Sequence, residues 1–164
     1  MSVEKVKAYF AQFGMQERVL EFPVSSATVE LAAQAAGVIP ARIAKTLSFL
    51  VEDRPVLVVT AGDAKIDNPR FKAQFHQKAK MLSAEQVDAM IGHSVGGVCP
   101  FAIPDSIEVY LDVSLQRFET VFPAAGSGNS AIELTCEELQ RYGKARAWVD
   151  VCKAWREEEK EAAV

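Results

Sequence analysis

A chain of 164 residues and 17.9 kDa, 49% apolar and 24% charged, has the size and make-up of one globular domain with a full core. Its formal net charge of −4 excludes a protein that coats nucleic acid by charge alone, while leaving room for a local basic face. No apolar run approaches the roughly 20 residues of a membrane-spanning helix. Met1-Ser2-Val3-Glu4-Lys5 lacks the layout of a signal peptide, so a cytoplasmic location without membrane contact is expected.

In chain order, Val3, Val6, Phe10 and Phe13 recur at helical spacing ahead of Gly14. Val19 to Phe22 is short and β-prone. Thr28 is an N-cap candidate for an alanine-rich helix that Gly37 closes, with Glu30 in its first turn. Pro40 opens a one-turn helix leading into Thr46 to Val51, Arg54-Pro55 turns the chain, and Val56 to Thr60 returns as a hairpin. Asn68-Pro69 starts a short helix, and Ser83 with Gln86 forms a capping box for one ending near Gly92. Ile107–Leu111, Thr120–Phe122 and Ala131–Leu134 are strand candidates, and Thr135 with Glu138 caps another helix. The apolar stripe of Trp148, Val151, Cys152 and Trp155 predicts a C-terminal helical extension over 144–164, ending in the solvated run Glu157 to Glu161. That stripe either covers the core or pairs with a second subunit, so monomer and homodimer both stand. With no repeat or linker, the pattern predicts a single mixed α+β domain over 1–164.

Cys99, Cys136 and Cys152 are widely spaced and odd in number, which is no disulfide framework. Without CxxC or HxxxH spacing no metal site is expected, and no cofactor is expected either. The stretch Gly126-Ser127-Gly128-Asn129-Ser130-Ala131 matches GxGxxA, but it leads into a strand rather than a helix and so fails as a dinucleotide fingerprint. His76 and His93 read as surface or capping residues rather than catalytic ones.

Four features have a chemical reading beside a structural one. Lys45, at the mouth of an apolar strand, either guards an edge or aims a fixed charge into a pocket that takes an anionic or carbonyl-bearing substrate. Gly96-Gly97-Val98-Cys99-Pro100-Phe101 is a tight turn or a loop whose bare amides approach a ligand. Cys99 within it reads as a small buried thiol rather than a nucleophile. Ser127 sits on a loop able to reach a pocket. Lys65, Arg70, Lys72, Lys78 and Lys80, against Asp67 alone, make a solvated face or a phosphate-contacting patch.

Taken in order, Thr28 before its alanine-rich helix, Ile43-Ala44-Lys45-Thr46-Leu47, Val58 to Asp63, Gly96 to Phe101, Leu111-Asp112-Val113-Ser114-Leu115 and Ala125-Gly126-Ser127 resemble the YbaK/ProX family. Its members are freestanding aminoacyl-tRNA deacylases similar to the editing domain of bacterial prolyl-tRNA synthetase. The resemblance spans roughly residues 1–143. It implies a mixed, mostly antiparallel barrel-like sheet flanked by helices. It also implies that Lys45 is the functional lysine and that Gly96 and Gly97 turn backbone amides toward the scissile carbonyl. Thr28, Val98, Pro100, Phe101, Asp112, Gly126 and Ser127 would then bind substrate, and the five basic residues from Lys65 to Lys80 would contact tRNA. Cys99 stands where many relatives carry proline or a small polar residue, and Ala102 replaces a frequent glycine, which leaves the edited amino acid open.

The implied reaction is hydrolysis of the ester on a mischarged tRNA, with a synthetase as a further partner. No general base is evident, so positioning would assist attack by a ribose hydroxyl or a water, with each well-placed amide donor contributing about 3–4 kcal/mol. Pocket size would select a small amino acid. A non-catalytic aminoacyl-tRNA or synthetase binding module, and a small-molecule acyl-ester hydrolase, are the alternatives.

Overall fold

The structure, a computed structural model, describes residues 2–158. Its helices are α1 (Ser2–Ala11), α2 (Val29–Ala36), α3 (Asn68–Phe75), α4 (Ala84–Ile91) and α5 (Cys136–Tyr142). Its strands are β1 (Val19–Glu21), β2 (Ile43–Val51), β3 (Arg54–Ala61), β4 (Lys65–Ile66), β5 (Glu108–Asp112), β6 (Thr120–Pro123), β7 (Ser130–Ile132), β8 (Leu134–Thr135), β9 (Ala147–Val149) and β10 (Cys152–Lys153).

Local chemistry accounts for most helix ends. Thr28 Oγ1 accepts the Leu31 N–H at 3.2 Å, and Gly37 closes α2 at φ +71°. Ser83 with Gln86 and Thr135 with Glu138 form complete capping boxes on α4 and α5. Glu138 is also clasped by the Arg18 guanidinium at 2.8 and 3.0 Å, and this contact holds its carboxyl down at about 2. A carboxylate with a depressed pKa stabilises the fold while ionised and stops doing so as pH falls toward that value. Thr135→Ala is therefore expected to lower stability by about 1 kcal/mol. In urea melts across pH 7 to 2, Glu138→Gln should trail the wild type at neutral pH, the gap closing as the medium acidifies.

The main sheet has the order β8-β6-β2-β3-β5-β9 and curls into a half-barrel, as the family resemblance implies. The β2–β3 and β6–β8 pairs are antiparallel, while β2–β6, β3–β5 and β5–β9 are parallel. Antiparallel pairs β1–β7 and β4–β10 flank it. The hairpin turns at Glu52 and Asp53, both at positive φ, rather than at Arg54-Pro55. Pro55 falls inside β3 opposite Leu50, before β3 meets β5 at Val56, so its missing N–H breaks no ladder there. Ala131–Leu134 is not one strand. Exposed Glu133 separates β7, which pairs with β1, from β8, which pairs with β6.

The largest correction concerns the C-terminus. Residues 147–153 are two strands instead of a helix. Val149, Val151 and Cys152 are buried so close together that no single helical face could hide them. Asp112 Oδ1 accepts the Val151 N–H at 2.9 Å and the Val151 carbonyl accepts the Asp67 N–H at 2.8 Å, drawing the chain out straight. Residues 159–161 of the glutamate run lie outside the described residues.

The principal core gathers Phe10, Phe49, Leu57, Phe71, Ile91, Phe101 and Leu111 between sheet and helices. A smaller cluster of Ala32, Ala33, Ile43 and Phe122 seals α2 against the start of β2. It forms the back wall of the pocket described next.

Candidate active site

A cavity of about 360 Å³ opens between the N-terminal end of α2, the first half of β2, the segment Met81–Val87 and the loop carrying Val95, Gly96 and Val98. Its wall is mainly apolar, with Val29, Ala32, Ile43, Leu47, Val87 and Ala131 among its residues. A few polar groups converge on it, which is the composition of a small-molecule site.

Lys45 lines this cavity from β2 and donates to the Ala64 carbonyl at 2.5 Å, which fixes its position. Burial draws its pKa below the ordinary lysine value. Cys152 and Asp63 oppose that shift, and the charge of Lys65 adds to it. Ser26 Oγ and Thr46 Oγ1 are buried in the lining and have no hydrogen-bond partner among the described residues. Buried hydroxyls are normally satisfied, so these two, each with almost no accessible surface of its own, are exceptions in the layer around the cavity. Thr28, Ser48 and Ser130 complete the polar part of the wall.

The glycine loop divides into two jobs. Gly96, at φ +98°, and Val98 line the cavity, and their N–H groups find no acceptor among the described residues. The Gly97 N–H instead donates to Ser94 O at 3.0 Å, so Gly97 is not the second amide facing the cavity. Its part is close packing. Its carbonyl accepts the Gly126 N–H at 3.1 Å, and a Cβ there would come within 2.5 Å of Ser127 N.

Several other expected site residues support the pocket from outside. Phe101 is fully buried against Phe10 at a ring distance of 4.9 Å. Pro100 packs on Gly143 and lines a separate cavity beside Tyr9. Asp112 spends both carboxylate oxygens on the Ser114 and Val151 N–H groups at 2.9 Å each. Gly126 packs on Ser2, and the Ser127 hydroxyl meets Ser130 Oγ at 2.7 Å, one layer behind the wall.

His76 occupies the left-handed cap position of α3, as a capping residue. His93 is neither surface nor cap. It is fully buried, with Nε2 at 2.8 Å from the Phe101 carbonyl and 3.5 Å from Cys99 Sγ. Burial pushes the Cys99 thiol up to about 12, so this Cys–His contact holds no thiolate near neutrality. Iodoacetamide at pH 8 should leave Cys99 unmodified in the folded protein and label it after denaturation, as peptide mass spectrometry would record. Among the described residues, no group of three His, Cys, Asp or Glu side chains could hold a metal ion, and no helix is long and apolar enough to cross a membrane.

The basic residues do not form one patch. Lys65 follows Ala64, beside Lys45, whereas the Lys80 carbonyl accepts the Leu50 N–H. Leu50 is five residues further along β2, or about 17 Å. Arg70 pairs with Asp67 and Asp150, and Lys72 and Lys78 are exposed.

Ser26, Thr46, Ser48 and Ser130 were not among the expected site residues. Thr46 adjoins Lys45 in a motif already singled out, so strand adjacency could have drawn attention to it. Nothing local marks Ser26 or Ser130, which reach the wall only through the β1–β7 pairing and the loops around it.

Residues 24–142 match the sequence model of the aminoacyl-tRNA editing domain. The uncharacterized protein YwhH of Bacillus subtilis (strain 168) is 54% identical over 94% of this chain and 99% of its own length. A proline–tRNA ligase of Leuconostoc citreum (strain KM20) is 30% identical over 52% of this chain, a stretch that makes up only 15% of the ligase. Among solved structures, a candidate trans-editing enzyme for prolyl tRNA synthetase superposes with a TM-score of 0.83 at 26% identity, covering 93% of this chain and 97% of that one.

Proposed function

This chain belongs to the aminoacyl-tRNA editing domain family, and we propose that it hydrolyses the ester of a mischarged tRNA carrying a small, uncharged amino acid. The observation that carries the reading is that Gly96 and Val98, whose N–H groups have no acceptor among the described residues, line the same apolar cavity as the fixed ammonium of Lys45. An ester carbonyl drawn against those amides gains hydrogen bonds as its oxygen acquires charge, and each such donor is worth about 3–4 kcal/mol in the transition state.

Lys45 holds the polar end of the substrate, and the polar lining residues Thr28, Ser48 and Ser130 are at hand for its remaining polar atoms. The wall offers no histidine or carboxylate as general base. The attacking oxygen is therefore positioned by the cavity, and its proton is relayed through solvent or the neighbouring ribose hydroxyl to the ribose oxygen that departs as the acyl–oxygen bond breaks. An aminoacyl ester is activated enough for positioning to suffice. The kinship with proline–tRNA ligases favours proline tRNA as the substrate body.

The test is a panel of proline tRNAs mischarged with glycine, alanine, serine, leucine or glutamate. Small side chains should be removed fastest, with steps of roughly ten- to a hundredfold for each size increment the cavity rejects. Tight binding of every member with no release of amino acid would identify a binding module instead. Equal cleavage of free aminoacyl esters would identify a small-molecule hydrolase.

A further inference from the structure

The C-terminal strands lie beyond residues 24–142, so the family match assigns them nothing. Strand β10 runs antiparallel to β4 with Cys152 opposite Ile66 and Lys153 opposite Lys65. Residues directly opposite in such a pair have Cβ atoms about 4.5–5.5 Å apart on one face. Two exposed ammonium groups thus leave the sheet side by side. Lys65 directly follows Ala64, whose carbonyl fixes Lys45, so the Lys65–Lys153 pair lies next to the segment that holds Lys45, outside the cavity lining itself.

The carboxylates around them are engaged elsewhere. Asp63 is clasped by Arg117 at 2.5 and 3.0 Å. Asp150 accepts from Arg70 at 3.0 Å and Arg156 at 2.7 Å. Asp67 pairs with Arg70, and Asp112 is saturated by backbone N–H groups. Neither Lys65 nor Lys153 has an ion-pair partner among the described residues. Like charges directly opposite across a ladder are destabilising. An anion bridging them would relieve that repulsion, and a lysine ammonium suits a phosphate oxygen.

We propose that Lys65 and Lys153 form a phosphate site that grips a backbone phosphodiester of the RNA strand just upstream of the ester held at Lys45. The site deepens the function proposed above and rests on it for the direction in which the strand runs. Phosphate contacts of this kind set register rather than read sequence, so the lysine pair would measure the distance from backbone to ester.

Lys153→Glu is the discriminating variant, because it turns a repulsive cross-strand pair into an attractive one. Its melting temperature should equal or exceed that of the wild type. Binding of an uncharged RNA hairpin ending in a single-stranded 3′ tail, followed by fluorescence anisotropy from 50 to 200 mM salt, should nonetheless weaken at least fivefold. The slope of log affinity against log salt should fall by about 0.7–1. Lys65→Glu should behave alike. Arg54→Glu, an equal charge change at the far tip of the hairpin, should stay within about twofold of the wild type. In turnover, Lys153→Glu should raise KM for aminoacyl-tRNA with little change in kcat, and leave hydrolysis of a phosphate-free aminoacyl nucleoside untouched.

Unchanged RNA affinity and salt slope in Lys153→Glu would overturn the proposal, as would inorganic phosphate binding more tightly than the hairpin. A wild type that hydrolyses no ester would overturn the proposed function, while the RNA-binding comparison would still decide the lysine site.

Discussion

Lys45→Ala is expected to lower kcat/KM for a mischarged tRNA by about 10²–10³, the usual effect of deleting one preorganised polar group from a water-poor site. Lys45 is held by the Ala64 carbonyl and flanked by apolar wall, where a charge acts with less screening than in water. Arginine should not rescue it, because a planar guanidinium does not reproduce the compact point charge that the Ala64 carbonyl holds in place. The pH profile supplies a second signature. Burial lowers the Lys45 pKa, so the ammonium is lost as pH rises through a value below 10.5, and enzyme-dependent hydrolysis should decline there. The same sign makes the buried charge a cost to folding at neutral pH. Lys45→Met should therefore melt no lower than the wild type while losing activity. A loss of both together would move Lys45 from the chemistry to the fold.

Gly97→Ala should be the most damaging single methyl in the glycine loop. The added carbon would sit 2.5 Å from Ser127 N and 2.6 Å from both Gly126 C and Ser127 Cα, all of them backbone atoms unable to rotate aside. Overpacking of this kind costs about 3 kcal/mol or more. It would also pry apart the Gly97–Gly126 hydrogen bond that pins the loop carrying Gly96 and Val98, so activity should fall with stability. Gly128→Ala is the matched control. Its nearest neighbour would be the Ala27 side chain at 3.6 Å, and it should fall within about 0.5 kcal/mol of the wild type. Thermal melts and deacylation rates of the two variants decide the matter. Equal behaviour would mean that the loops give way more readily than their backbone contacts allow.

Legibility in the sequence followed the range of the interactions. Thr28, Ser83 and Thr135 announce helix starts because their partners lie three residues away, and all three do cap. The hairpin was readable for the same reason, apart from its turn, where Pro55 is the louder signal and Glu52-Asp53 the actual one. The C-terminal strands were not readable. They are extended because Asp112 and Asp67 seize Val151 from distant parts of the chain, and Trp148 and Trp155 mimic a helical stripe only by accident of spacing.

The site followed the same rule at finer grain. Family motifs point to the segments around this cavity, and Lys45, Thr28, Gly96 and Val98 line it. Gly97, Phe101, Asp112, Gly126 and Ser127 occupy the same motifs as supports. A string of residues does not separate a pocket wall from the layer that holds it up. Ser26 and Ser130 enter the wall through contacts made far away in sequence.

The most direct test of the central claim is single-turnover release of the amino acid from mischarged proline tRNA, with wild type and Lys45→Ala side by side. Release by the wild type at least a hundredfold faster than in buffer, and near the buffer rate for Lys45→Ala, is the predicted result. Release at the buffer rate by the wild type, or at equal rates by both proteins, would contradict the reading of this cavity as an ester-cleaving site.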